Sequence, residues 1–471
     1  MARQLVWFRS DLRTLDNTAL AAAARRGPVI AVFLHCPAQW QDHGHGANKI
    51  DFLRRGVAAL GEALAGYHIP LLQRDIGDFS AAAEALLAIA REHDVAALHF
   101  NREYPLNEAR RDAAVQAAFR EAGLASHAWT DAVAFEPGEL LTGQGHYYSV
   151  FTPFARAWHR QIDAERLALR DTPTVQAALP IAAEALPDAP RLADTPVDAR
   201  LWPAGETAAA DRLERFLRYR ARHYHEQRDQ PAIAGTSELS PYLALGMLSH
   251  RQCLQAAMAE NGGHLGDGDA GLTGWINELV WREFYQHIVV GFPAVCRHRP
   301  FQHHTEALAW RDDDTAFRAW CEGRTGYPLV DAAMRQLVRT GWMHNRLRMV
   351  TAMFLTKHLL IDWRRGETFF LRHLVDGEFA ANNGGWQWAA STGTDAAPYF
   401  RIFNPTTQSR RFDPDGRFLA EYLPELADLP AKARHAPPRD ALGAADYPPP
   451  IVDHKAARER ALAAFKALPK S

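Results

Sequence analysis

Short apolar runs alternate with longer amphipathic, Ala-rich stretches over the first 130 residues. The runs have the length and composition of strands, and they are LVWFR (5–9), VIAVFLH (29–35), PLLQRDI (70–76), AALHFN (96–101) and a weaker run near 126–135. Strands that alternate with helices predict a doubly wound parallel sheet. The segment lacks the G-x-G-x-x-G turn of a dinucleotide-binding domain, so a plain scaffold domain is one open interpretation.

The pattern changes twice after this point. Residues 131–205 carry little periodicity and are rich in Ala, Pro and Asp, most clearly over 178–205, as expected of a connector that wraps a surface. From about residue 206 onward long helical patterns replace the strand pattern. We therefore predict an α/β domain at 1–130, a linker at 131–205 and an all-α domain at 206–471.

Composition adds limits to this picture. A chain of 471 residues is too long for one core, and 47% hydrophobic with 23% charged residues is ordinary for a globular protein. The net charge of −2 means that any contact with nucleic acid must rest on a local basic surface. The four Cys residues are scattered without metal-ligand spacing, and no apolar run approaches the length of a membrane span. We expect a cytoplasmic protein with no metal site and no membrane contact.

The segment GTSELSPYLALG (235–246) joins a hydroxyl-rich loop to a helix. Ser240 fits the N-cap and Pro241 the first helical position. Thr236, Ser237 and Ser240 at such a helix start suit a pyrophosphate group, although ordinary capping is the simpler interpretation. Ser249 and Gln252 predict a second, purely structural capping box.

Two helical patterns carry polar groups where core residues are normally found. Trp275, Glu278 and Trp281 recur in steps of three, and a half-buried carboxylate between two indoles is costly unless it has a task. A surface pair of Glu278 with Arg282 is the alternative. Further along, Trp342, Asn345, Arg346 and Met349 follow helical spacing, and this face predicts a site lining or, alternatively, a solvated basic helix.

Residues 382–414 fit neither the strand nor the helix period. Two Asn and two Gly precede Trp386 and Trp388, and a loop-forming stretch then leads to Tyr399 and Arg401. Paired Gly allow unusual backbone geometry or close approach, and aromatics beside Arg suit contact with nucleic acid. The segment is therefore a candidate binding site.

In their residues and in their order along the chain, these motifs resemble those of the bacterial DNA photolyases in the photolyase/cryptochrome family. The matching segments are LVWFRSDLRTLDNTAL (5–20), GTSELS (235–240), WINELVWREFY (275–285), GYPLVDAAMRQL (326–337), GWMHNRLRM (341–349), IDWRRGE (361–367) and 382–414. The resemblance covers nearly the whole chain and points to the class I enzymes that repair cyclobutane pyrimidine dimers.

The resemblance implies an antenna-binding α/β domain, a long linker and an all-α domain that binds FAD and DNA. It implies a light-driven lyase, active with FAD in its reduced anionic form, in which an electron passes to a flipped-out dimer in ultraviolet-damaged DNA and returns. It also implies a monomer and an antenna, for which 5,10-methenyltetrahydrofolate is expected.

The resemblance further assigns residues to three surfaces. Contacts with the lesion are implied for Glu278, Trp281, Asn345, Met349 and Trp388. Contacts with FAD are implied for Tyr224, Thr236, Ser237, Glu238, Leu239, Ser240, Trp275, Asn345, Arg348, Asp376, Glu378 and Asn382. Contacts with the DNA backbone are implied for Arg228, Arg282, Arg346, Arg401 and Gln408. Arg348 is expected to pair with Asp376, and Asn382 to lie near flavin N5.

Two further sets rest on the resemblance alone. Trp310, Trp363 and Trp386 match the family's electron-transfer triad, although large aromatics usually fill a core. His43, Asn107, Glu108, Cys296 and Arg297 are the implied antenna contacts. Arg297 stands where folate-binding relatives often have Lys, and Arg keeps the charge without the same geometry.

Three alternative functions remain open at this point. A (6-4) photolyase needs His residues at the lesion, where this chain has Met349, Trp281 and Trp388. A cryptochrome receptor commonly replaces the Asn at position 382 and carries a C-terminal extension. A light-independent flavin oxidoreductase needs a nicotinamide site, for which the chain has no glycine fingerprint.

Overall fold

The computed structural model describes residues 2–438 and 446–469. Contacts divide the chain into two compact units. The sheet unit comprises Met1–Arg222 and Ser237–Pro293, and the helical unit comprises His223–Thr236 and Ala294–Ser471. The domain bounds expected at residues 130 and 205 stay predictions. The two units are defined by contacts, and this division has no separate linker.

The sheet unit is built on a five-stranded parallel sheet. In spatial order its strands are Leu71–Asp75, Val29–His35, Arg3–Phe8, Val95–Asn101 and Ala125–Trp129. The chain fills one side of Arg3–Phe8 and then crosses to the other, which is the doubly wound order. Val29–His35 is buried along its whole length, as expected of a strand covered on both faces. The predicted sheet is confirmed.

Helices surround this sheet and extend the unit. They are Thr18–Ala24, Pro37–Asp42, Ala47–Ala65, Ala82–Glu92, Leu106–Glu121, Phe151–Gln161, Ala164–Leu167, Glu206–Tyr219, Ser240–Ala244, His250–Glu260 and Ala270–Gly291. Phe151–Gln161 lies inside the stretch predicted to be a linker, so part of that stretch is helical. Phe154, Ala157 and Trp158 form its buried stripe at helical spacing. The Pro-rich sequence further along obscured this short pattern.

The helical unit contains no strand among its described residues. Its α-helices are Tyr224–Gln227, Asp314–Cys321, Pro328–Thr340, Asn345–Met353, Trp363–His373, Phe379–Ala390, Pro405–Phe412, Arg417–Tyr422, Ala431–Arg434 and His454–Lys466, with a π-helix at Phe354–His358. One hydrophobic cluster, which includes Trp320, Trp363 and Trp386, forms its core. Within the described ranges, no helix has the length and apolarity needed to span a membrane.

Candidate functional site

The loop before Ser240–Ala244 has an unusual backbone. Glu238 adopts a left-handed conformation (φ 52°), and a Cβ added at Gly235 would lie 2.8 Å from Gln227 Cβ and main-chain O. This close approach explains the Gly. The N-cap is Leu239 and not Ser240, so that prediction is wrong by one residue. Because the chain turns at Glu238, the backbone angles of Leu239 are already near helical values one residue before Ser240. The box of Ser249 and Gln252 is present as predicted.

The residues expected to hold FAD fall into both units. The sheet unit contains Ser237, Glu238, Leu239, Ser240 and Trp275, and the helical unit contains Tyr224, Thr236, Asn345, Arg348, Asp376, Glu378 and Asn382. In the sheet unit, Arg212 donates to the Glu238 carboxylate at 2.5 Å, and Trp275 packs on Phe216 with ring centroids 5.0 Å apart. In the helical unit, the expected pair of Arg348 Nη2 and Asp376 Oδ2 is present at 2.7 Å.

Helix Ala270–Gly291 carries the Trp275, Glu278 and Trp281 pattern as expected. Trp275 is buried, whereas Glu278 and Trp281 are half-buried. Trp281 stacks on Phe151 at a centroid separation of 3.7 Å and an interplanar angle of 10°, so one face of the indole is covered. Arg282 donates to the main-chain oxygens of Ala132 (3.2 Å) and Leu243 (3.3 Å).

Helix Asn345–Met353 begins at Asn345 after the N-cap His344. Trp342 therefore precedes the helix, and its predicted place on the helical face is wrong because His344, as the N-cap, ends the preceding extended segment. Asn345 is exposed and Met349 half-buried, while Leu347 and Val350 enter the core. The helix thus keeps one polar, open face, as the pattern predicted.

Arg346 on this open face already has a partner. Its Nη2 lies 2.6 Å and its Nε 3.2 Å from the two carboxylate oxygens of Asp229. Its guanidinium also lies 4.6 Å from the centre of the Phe412 ring. A phosphate at this position would have to share or replace the Asp229 contact.

The segment with Trp386 and Trp388 is a helix, Phe379–Ala390, whereas its sequence fitted neither period. Gly384 and Gly385 lie inside it without positive φ, so the unusual backbone suggested for them is absent. A Cβ added at Gly385 would meet no atom within 4 Å. Trp386 is buried and Trp388 half-buried, so the two indoles have different surroundings.

A chain of hydrogen bonds links this helix to Glu367. Asn382 Nδ2 donates to the main-chain oxygen of Glu367 (3.2 Å), and Asn383 Nδ2 donates to its Oε1 (2.7 Å). His298 Nδ1 lies 2.9 Å from the other carboxylate oxygen. Gln387 Nε2 continues the chain to Asn383 Oδ1 at 3.0 Å. The hydrogen bond to Glu367 uses one N–H of the Asn382 amide and leaves its Oδ1 as an acceptor.

The three tryptophans of the expected relay all lie in or against the hydrophobic cluster of the helical unit. Trp363 and Trp386 are members of the hydrophobic cluster, and Trp310 packs against it while partly buried. A Cβ at Gly366 would lie 2.1 Å from Trp386 Cη2, so this Gly lets the indole approach the helix that carries Trp363. Trp386 also has Trp320 as a neighbour, with ring centroids 6.0 Å apart.

Three of the expected antenna residues meet in the sheet unit. Asn107 Nδ2 lies 3.0 Å from His43 Nε2, and Glu108 Oε1 lies 3.5 Å from His43 Nδ1. Burial, with a contribution from Glu103, raises the pKa of Glu108 to about 7. Burial and the charge of Lys49 lower the pKa of His43. Cys296 and Arg297 belong to the helical unit, on a short helical turn.

The remaining candidates for DNA contact differ in exposure. Arg401 is exposed beside the exposed Phe400, whereas Arg228 is half-buried with its guanidinium 5.7 Å from the Tyr224 ring centre. Gln408 is half-buried on helix Pro405–Phe412.

Comparisons with known proteins decide the family. The family model described as "DNA photolyase" matches residues 4–176, and the "FAD binding domain of DNA photolyase" matches residues 275–467. A deoxyribodipyrimidine photo-lyase from Salmonella typhimurium is 48% identical over 475 residues, covering 100% of both chains. This chain belongs to the DNA photolyase family.

Solved structures of photolyase relatives share its fold. A bacterial class III photolyase from Agrobacterium tumefaciens matches with a TM-score of 0.89 and 38% identity, covering 99% of this chain and 98% of the other. A Synechocystis cryptochrome matches with a TM-score of 0.84 and 28% identity, covering 98% of this chain and 99% of the other. Because photolyase and cryptochrome match similarly well, fold alone does not separate repair from signalling.

Several contact partners of the candidate residues were not predicted from the sequence. Phe151 covers Trp281, Asp229 holds Arg346, and Trp320 neighbours Trp386. The pair of His298 and Glu367 was also not predicted. Each partner is distant in sequence, and only the Trp in AFRAWC (316–321), close after Trp310, offered a visible signal.

Proposed function

We propose that this chain uses light to split cyclobutane pyrimidine dimers in DNA. The observation that carries the proposal is the full-length match, at 48% identity, to a protein named deoxyribodipyrimidine photo-lyase. The open face of helix Asn345–Met353 and the half-buried Trp281 and Trp388 support it, since a repair enzyme needs ligand-facing aromatic and polar groups.

The family match implies FAD as the cofactor, and several residues have chemistry that suits it. Arg348 and Asp376 form a charged pair, and Asn382 offers its Oδ1 to an N–H donor of a reduced flavin ring. Gly235 and the left-handed Glu238 shape a loop with Thr236, Ser237 and Ser240, whose hydroxyls suit a diphosphate. When bound, reduced FAD excited by light would supply the electron that opens the cyclobutane ring and would take it back from the separated bases, with no net oxidation or reduction. The protein orients the two reactants and excludes water.

We assign the lesion to Glu278, Trp281, Asn345, Met349 and Trp388. Trp281, on which Phe151 stacks, and the half-buried Trp388 would each offer an aromatic ring for stacking with an extruded pyrimidine. Glu278, when protonated, and the amide N–H groups of Asn345 would donate hydrogen bonds to base carbonyls, and Met349 would add a polarizable apolar contact. Trp275 lies in the buried part of the same helix as Glu278, as expected for a wall of the cofactor site.

Contacts with the DNA backbone belong to Arg228, Arg282, Arg346, Arg401 and Gln408 in this proposal. A net charge of −2 leaves a local group of Arg residues as the means of attracting DNA. Arg346 reaches a phosphate when its ion pair with Asp229 opens or is shared. Such a pair holds the guanidinium in a defined orientation until DNA arrives.

An electron relay and an antenna complete the proposal. Trp310 at the edge of the core, then Trp363 and Trp386, would carry electrons to oxidised flavin from the surface. A folate antenna, 5,10-methenyltetrahydrofolate, would use His43, Asn107, Glu108, Cys296 and Arg297. The cluster of His43 with Asn107 and Glu108 supports this assignment, because polar groups converge there.

We propose that the protein is a monomer. We also propose that it works in the cytoplasm, where its DNA substrate lies. The free cysteines Cys36, Cys253, Cys296 and Cys321 support a reducing compartment. An absorption spectrum of the purified protein tests the antenna, because folate and flavin have separate bands. A flavin spectrum alone would remove the folate assignment.

The direct test of function uses DNA with one defined lesion. Protein reduced beforehand is mixed with an oligonucleotide that contains either a cyclobutane dimer or a (6-4) product, in darkness or under blue light. We expect binding of the dimer in both conditions and repair of it in light alone. Repair of (6-4) products without repair of dimers, or binding with no repair of either lesion, would contradict the proposal.

A further inference from the structure

His298 and Glu367 form an ion pair that reaches from the surface into the core of the helical unit. The His298 side chain is 52% exposed, whereas the Glu367 side chain is fully buried. His298 Nδ1 and Glu367 Oε2 are 2.9 Å apart. A buried carboxylate is costly unless a charge and hydrogen bonds compensate it, and His298 supplies that charge when its ring is protonated.

Glu367 is the junction between this pair and the helix Phe379–Ala390. Its carboxylate accepts from Asn383, and its main-chain oxygen accepts from Asn382, which we assign to the flavin. Gln387 extends the chain, accepting from Phe301 N at 2.8 Å and donating to Asn383. Glu367 therefore contacts Asn382, the proposed cofactor residue, through its main chain, and its carboxylate is held by the next residue of the same helix, Asn383.

We propose that His298 is a positioning residue of the flavin site, which neutralises the Glu367 carboxylate so that the site tolerates the added negative charge of the reduced cofactor. The proposal rests on the FAD assignment above and not on the identity of the lesion. An uncompensated carboxylate in a buried, low-dielectric region would oppose a second negative charge nearby.

The other charged groups around His298 are largely paired with one another. Arg364 Nε donates to the His298 main-chain oxygen at 2.7 Å, and its guanidinium binds Asp362 and Glu306, each at 3.0 Å. Arg299 lies 3.7 Å from Glu306. Because these two cations and two anions pair with one another, Glu367 has the dominant influence on the pKa of His298. Its hydrogen bond raises that pKa, whereas burial and Arg364 lower it.

The test is a redox titration of bound FAD in the intact protein. His298→Gln removes the cation, and we expect the midpoint potential to move to a more negative value. Adding Glu367→Gln removes the stranded carboxylate, so the double variant should return toward the wild-type potential. His303→Gln, which alters an exposed His of the same unit, serves as the matched control and should leave the potential unchanged.

The pH dependence gives a second readout that needs only the surface variant. As pH rises through the His298 titration, the pair becomes net negative, so the wild-type potential should fall more steeply than that of His298→Gln. NMR titration of the His298 ring should show a higher pKa in the wild type than in Glu367→Gln. An unchanged potential in His298→Gln, or a double variant as displaced as the single one, would overturn the proposal. Loss of dimer repair with these shifts intact would refute only the repair function.

Discussion

Two sets of tryptophans in this protein differ mainly in what surrounds them. Trp363 and Trp386 are 1% and 2% exposed and belong to the core of the helical unit. Trp281 and Trp388 are half-buried, and Trp281 has one ring face covered by Phe151. A ring enclosed by neighbours keeps its position and stays dry, which suits electron transfer. A ring with one open face can stack on a base.

Burial separates Trp363 and Trp386, the inner members of the proposed relay, from the lesion tryptophans, whereas Trp310 at the proposed outer end of the relay is itself half-buried. Trp386 and Trp388 are two positions apart on one helix, yet only Trp386 enters the core. Successive helical positions two apart point to different sides, so one segment can serve both the relay and the lesion surface. Variants that alter one set of tryptophans alone therefore test whether the two sets have different tasks.

Replacing Trp310 by Phe should have the largest effect. The ring still packs at the edge of the core, but the easily oxidised indole is lost. We expect light to fail to reduce the oxidised FAD of Trp310→Phe, even with an external reductant, when followed by flavin absorbance. Trp342→Phe is the control, because Trp342 is half-buried and outside the relay.

Repair by chemically pre-reduced Trp310→Phe should survive, because the relay is not needed once FAD is reduced. Normal photoreduction in this variant would show that Trp310 is not the outer end of the relay. The difference in burial between the two sets of tryptophans would then have no functional meaning.

Gly366→Ala should disturb the buried set through packing. The new Cβ would lie 2.1 Å from Trp386 Cη2 and 2.6 Å from Leu355 Cδ2, so the indole has to move. Overpacking of this kind costs about 1–3 kcal/mol of unfolding free energy, measurable by urea denaturation. Gly385→Ala is the matched control, since its Cβ meets nothing within 4 Å and Ala favours a helix. Equal stability of both variants with the wild type would contradict the packing account.

Trp281→Ala should affect the open set alone. We expect binding of dimer-containing DNA to weaken by about 1–3 kcal/mol through lost stacking, as measured by fluorescence anisotropy. Photoreduction of FAD should continue at the wild-type rate. If Trp281→Ala lost photoreduction and retained lesion binding, the assignment of the two sets would be reversed.

Arg346→Ala should have the smallest effect, on the electrostatics of the open surface. Loss of one phosphate contact should reduce the slope of log affinity against log salt by about one. Arg335→Ala is a suitable control, because Arg335 is also in an Arg–carboxylate pair, with Glu425 at 2.7 Å. The same slope for Arg346→Ala as for the wild type would assign Arg346 to structure alone, through Asp229 and Phe412.

Much of the fold could be predicted from local patterns. The strands and the parallel sheet followed from apolar runs, and the pair of Arg348 with Asp376 followed from the family resemblance. Trp342 and Ser240 were misplaced because helix starts depend on backbone angles that residue types determine weakly. Phe151, Asp229 and His298 were missed because their partners lie far away in sequence, where periodicity carries no information.

Light should split the dimer without net oxidation or reduction of the protein. Pre-reduced protein should be given an excess of dimer-containing DNA without oxygen, illuminated, and followed by flavin absorbance while repaired bases are counted. We predict many dimers repaired per protein with FAD still reduced at the end. Oxidation of one FAD for each dimer split, or repair that proceeds equally in darkness, would contradict the account.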